Sequence, residues 1–158
     1  MIQRTQTLFL ALVVVAMCAV VGFPIWEKSS AALNEKVVLS AMNLIHTKAG
    51  AEVSNGSTIY IAGLAILSAI LALVSITQFK KRVLQMTIGA INSAVIAATL
   101  GTCFYQVFLV GIPMFEPEAQ GSYTIGFYAA ALALLGNMIA NRLIRRDEML
   151  VRSADRMR

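Results

Sequence analysis

Four long stretches of this chain carry no charged side chain: Thr7–Ile25, Ile59–Phe79, Val83–Ile112 and Tyr123–Asn141. Every Asp, Glu, Lys, Arg and His lies outside them. About 20 apolar helical residues cross a hydrocarbon core of about 30 Å, so each stretch is long enough to span a bilayer. The chain reads as an all-α membrane protein, a four-transmembrane-helix bundle whose partner is first of all the lipid bilayer.

Composition leaves no room for a separate soluble domain. Hydrophobic residues make up 58% and charged residues 13%, whereas a soluble domain carries about 25% charge. Residues 1–158 form a single membrane domain, with an outer loop over 27–58 and a tail over 142–158. The distribution of cations orients it. Arg4, Lys80, Lys81, Arg82 and the arginines after position 141 share one side, while Lys28, Lys36 and Lys48 stand among acids on the other. The positive-inside rule then places both termini in the cytoplasm. The net charge of +5 is mostly this topological signal, and the scattered cations without aromatic interleaving argue against nucleic acid as a partner. The first span, which ends in Pro24-Ile25-Trp26, is longer than a signal-peptide core and reads as a retained helix.

Aromatic residues mark the outer boundary heavily, with Trp26, Tyr60, Tyr105, Phe108, Phe115, Tyr123, Phe127 and Tyr128 set as an interfacial belt. On the third span Gly89, Ser93, Ala97 and Gly101 recur every four residues. Small rows of this kind let backbones approach in lipid, which makes span three the expected central helix of the bundle. Asn92 on span three and Asn137 on span four are expected to bond between helices.

Chemistry is sparse. His46 is the only histidine and sits in the outer loop, so neither a histidine metal pair nor an intramembrane Ser-His or Cys-His couple can form. Cys18 and Cys103 lie at similar depths in their spans and read as packing groups. No catalytic, cofactor-binding or metal site is expected, and no buried ionisable group offers a proton relay or an ion-coupled carrier. Within the outer loop, the run from Lys36 to His46 favours extended structure over a short interfacial helix, and Asn55-Gly56 reads as a turn before span two. From Leu143 onward there is no Gly or Pro, and Glu148 stands four residues before Arg152. Span four is therefore expected to continue as a cytoplasmic helix.

Three segments carry a family resemblance. The start Met1-Ile2-Gln3-Arg4-Thr5-Gln6-Thr7, the inner turn Lys80-Lys81-Arg82-Val83-Leu84-Gln85 and the ending from Ile144 to Arg158 resemble a Bacteroidetes family of small four-pass inner-membrane proteins known as a domain of unknown function. The resemblance implies the topology and a bacterial cytoplasmic membrane, and no activity. All three segments fall on the cytoplasmic side of the topology read from charge. Arg4, Arg82, Gln85, Arg146, Asp147, Glu148, Arg152, Asp155 and Arg156 are accordingly the candidate interaction cluster there. The expected function is a non-enzymatic structural or accessory protein that meets a membrane or cytoplasmic protein partner. The alternative is a small transporter or channel using the small-residue face of the third span.

Overall fold

The computed structural model describes residues 2–78 and 81–155. Four helices build the bundle: α1 (Ile2–Gly22), α2 (Ile59–Thr77), α3 (Arg82–Tyr105) and α4 (Ile125–Asp155). All four are long and apolar enough to cross a membrane. Each packs on two neighbours in the ring α1–α2–α3–α4, and the most extensive contact is between α1 and α4. Span three is thus one of four equivalent staves rather than the central helix.

The chain is not all-α. Trp26–Ser30 (β1), Glu35–Leu39 (β2), Asn43–Lys48 (β3) and Ala51–Ser57 (β4) form an antiparallel meander, and Ser122–Tyr123 (β5) adds to β1 in the order β4-β3-β2-β1-β5. Alternation drives it. Trp26 and Lys28 on β1, and Glu35, Val37 and Leu39 on β2, all turn to the buried face, as a period of two requires. Between β3 and β4 the two-residue turn Ala49-Gly50 has φ of 51° and 82°, the doubly left-handed geometry that suits the twist of a hairpin.

Asn55-Gly56 is not a turn. It pairs within β4, where Asn55 faces Ile45 and Gly56 faces Leu44. The sheet is sewn to one end of the bundle through backbone bonds: Ile25 N–H donates to Leu39 O at 2.8 Å, Ala62 N–H to Ala41 O at 3.1 Å and Thr124 N–H to Ile25 O at 3.0 Å. Trp26, Ile25, Val37, Leu39, Leu44 and Phe115 form the core at that junction. Trp26 and Phe115, expected in an interfacial belt, are buried there. The start of α1 and the end of α4 lie at the opposite end of the bundle.

Candidate functional site

A seam of polar side chains runs through the bundle on α3. Gln85, Asn92 and Thr99 are buried at intervals of seven, and Gln106, seven further on, is buried in the π-helical segment Gln106–Gly111 that follows. A seven-residue repeat keeps side chains on one seam of a left-handed bundle, because two turns of α-helix take about seven residues. Ser68 and Ser75 supply the same interval on α2, and Asn137 faces the seam from α4, fully buried.

The bonds are interhelical. Asn92 Nδ2 donates to Asn137 Oδ1 at 3.3 Å, and Asn137 Nδ2 donates to Gly89 O and to Ser93 Oγ, each at 2.8 Å. Gln85 Nε2 donates to Ser75 O at 3.0 Å, joining α3 to α2. Gln106 Nε2 donates to the Tyr60 hydroxyl. Among the described residues Asn92 Oδ1, Gln106 Oε1 and the hydroxyls of Ser68 and Ser75 have no hydrogen-bond partner.

This seam separates the four small residues of span three. Gly89 is buried against α4, where an added Cβ would collide with the Asn141 side chain, and Ser93 is half-buried. Ala97 and Gly101 instead face outward, with nothing within 4 Å of a Cβ built at Gly101. The reason is energetic. Glutamine and asparagine in hydrocarbon need internal partners, whereas alanine and glycine are tolerated on either side, so the polar residues choose which face of α3 turns inward.

At the tail end Arg82 joins α3 to α4. Its Nη1 donates to Asp147 O at 3.1 Å, and its Nη2 lies 3.6 Å from Asp147 Oδ2. Of the other residues expected in a tail cluster, Gln85 is inside the bundle on Ser75, Arg146 is exposed, and Glu148 is half-buried. The side chains of Arg4, Arg152 and Asp155, and all of Arg156, lie outside what the structure describes. Sequence reasoning missed Arg142 and Arg145, which with Arg146 rim a groove between α3 and α4. Their spacing of three and four, one helical face, was the available signal.

The sheet end holds a charged core that was also missed. Lys28, 2% exposed, donates from Nζ to Ile112 O at 3.0 Å and to Glu116 O at 2.8 Å, as well as to Phe115 O. The ammonium also sits 4.6 Å from the centroid of the Phe115 ring. Burial lowers its pKa, opposed by the nearby Glu116 carboxylate. Glu35 accepts from Lys48 Nζ at 2.7 Å and lies 3.1 Å from His46 Nε2. The bond from Lys48 is the chief cause holding the Glu35 carboxyl below its ordinary range. His46 in turn stacks on Phe115 at 5.8 Å. These contacts tie the meander to the segment after α3, leaving His46 in a structural setting.

Both cysteines are free thiols, Cys18 exposed and Cys103 buried. The family described as a domain of unknown function, DUF4293, matches residues 2–157. The chain belongs to that family. A comparison with curated proteins finds no match.

Proposed function

We propose that this DUF4293 protein is a non-enzymatic integral protein of a bacterial cytoplasmic membrane, a structural or accessory subunit whose helical tail contacts a protein partner in the cytoplasm. The observation that carries this reading is the tail of α4. The helix has 31 residues, about 46 Å at about 1.5 Å per residue, against about 30 Å of hydrocarbon core. Beyond the apolar segment it is held to α3 by the Arg82–Asp147 pair, yet it exposes Leu150 at 52% and Val151 at 42%. Apolar side chains exposed on a fixed helix past the cationic positions Arg142, Arg145 and Arg146 are suited to a partner surface. The excess of Lys and Arg at this end supports the cytoplasmic placement.

The test is co-purification from native membranes with the wild-type chain and with Leu150→Glu/Val151→Glu at equal expression. A stoichiometric protein present with wild type and lost with the variant supports the reading. No such protein with wild type, or its retention by the variant, contradicts it.

A second reading is a small transporter or channel for a neutral polar solute. The unpartnered acceptors Asn92 Oδ1 and Gln106 Oε1 on one buried seam favour it. A path along the small-residue face would instead form between copies of the chain, because Ala97 and Gly101 are exposed. Solute flux into liposomes that falls with Asn92→Leu would select the seam, and flux no greater than that of empty liposomes would remove both versions.

A further inference from the structure

Between α3 and α4 at the tail end lies an open groove of about 770 Å³. Its polarity changes along the helix axes. Ala90 on α3 and Met138 on α4 line the deeper part beside the polar side chains of Ser93 and Asn141, and Met86 lies level with Arg142, Arg145 and Arg146 toward the tail, where Met149 closes the lining. On α4 Met138 is one turn below Arg142 and Arg146 is one turn above it, so the step from methionine past Asn141 to the cations covers about 12 Å of helix.

The three guanidiniums line the groove without a carboxylate beside them in its wall, among the described residues. Among the described residues none of them forms an ion pair, and no Asp or Glu lines the groove. Asp147, next in sequence to Arg146, is turned to Arg82 instead. Arginine presents planar paired donors that match phosphate oxygens and is weakly hydrated, which suits it to a headgroup boundary. Methionine adapts its shape to an irregular apolar partner.

We infer that this groove is a seat for one anionic phospholipid, with its phosphate on Arg142, Arg145 and Arg146 and an acyl chain along Met86, Ala90 and Met138. Charge complementarity selects the occupant. A zwitterionic headgroup brings its own ammonium to compete with the arginines, whereas an anionic headgroup does not. The apolar floor selects a lipid over free phosphate, since inorganic phosphate would leave the methionines uncovered. The seat is independent of the partner surface at Leu150 and Val151, neither of which lines it.

Native mass spectrometry of the full chain from mixed micelles of phosphatidylglycerol and phosphatidylcholine tests the seat. Wild type is expected to retain one phosphatidylglycerol in at least tenfold preference to phosphatidylcholine. Arg142→Gln/Arg145→Gln/Arg146→Gln should abolish the preference. Ala90→Phe, which fills the groove without changing charge, should lower retention at least fivefold, while excess inorganic phosphate should not displace the lipid. Equal retention of both lipids by wild type overturns the inference whatever the variants do. So does undiminished retention by Ala90→Phe, which would mean diffuse attraction to a basic surface, or a bound protein that excludes lipid from the groove.

Discussion

Asn92 on α3 donates from its side-chain amide to the side-chain oxygen Oδ1 of Asn137 on α4, at 3.3 Å inside the bundle. Asn137 passes the connection on to Gly89 O and Ser93 Oγ, so one side chain holds three positions of the neighbouring helix. Replacing it with an apolar residue leaves Asn92 without its acceptor. Asn137→Leu should therefore cost about 1–2 kcal/mol, the upper part of the range for interhelical bonds in lipid. In a double-mutant cycle, Asn92→Leu with Asn137→Leu should cost less than the sum of the single changes. Reversible unfolding in mixed micelles measures both, and strict additivity would mean that the two amides are not coupled.

Glycine positions divide by what surrounds them. A Cβ at Gly126 would stand 2.7 Å from Pro24 O and 2.9 Å from Phe23 O, both backbone atoms, whereas one at Gly101 meets nothing within 4 Å. Gly126→Ala should lower the melting temperature in detergent by several degrees, since the α4 start must move off the turn after α1. Gly101→Ala should leave it unchanged or raise it slightly through helix propensity. Equal losses at the two positions would contradict the orientation of α3.

Lys28 gathers the carbonyls of Ile112, Phe115 and Glu116. Lys28→Met keeps much of the stem but strands those acceptors, and should destabilise the sheet end by about 1–3 kcal/mol. Faster hydrogen exchange in residues 112–116 and in β1, with the helices unaffected, is the expected signature. Protection unchanged across this segment would show that the ammonium is not the tie.

The four long helices were legible because each coincides with a charge-free stretch of the length that a bilayer core requires, about 20 residues. The sheet was less so. Extended structure in the outer loop was readable from Val37, Val38 and Ile45, but β4, Ala51–Ser57, is exposed at every residue and has no alternation to betray it. Asn55-Gly56 looked like a turn because the local preference is strong; pairing with β3 overrode it. On α3 the row of small residues was the more visible pattern, while the interval of seven among Gln85, Asn92, Thr99 and Gln106 carried the orientation. The Arg142–Arg146 groove needed α3 and α4 side by side, a relation no single segment encodes.

Glu35 gives the sheet end a pH dependence of known sign. Its folded pKa is depressed, first by the bond from Lys48, so its contribution is complete above the ordinary carboxylate value of about 4.3 and is lost as pH falls through the lower folded value. Fluorescence of Trp26, the only tryptophan, should report loosening of the sheet as pH falls below about 4. Glu35→Gln should be less stable at neutral pH and flatter across this window. An unchanged slope would assign the dependence to other carboxylates.

Which side of the membrane the sheet and the tail occupy can be read by labelling single cysteines. In a chain with Cys18 and Cys103 replaced by alanine, single cysteines at Lys36, on the sheet, and at Ser153, on the tail, are exposed to a membrane-impermeant maleimide in intact and in lysed cells. Position 36 should be labelled in intact cells, once the outer envelope is permeable, and position 153 only after lysis. Labelling of both positions from one side, or the reverse pattern, would contradict a four-pass chain with its sheet outside and its tail in the cytoplasm.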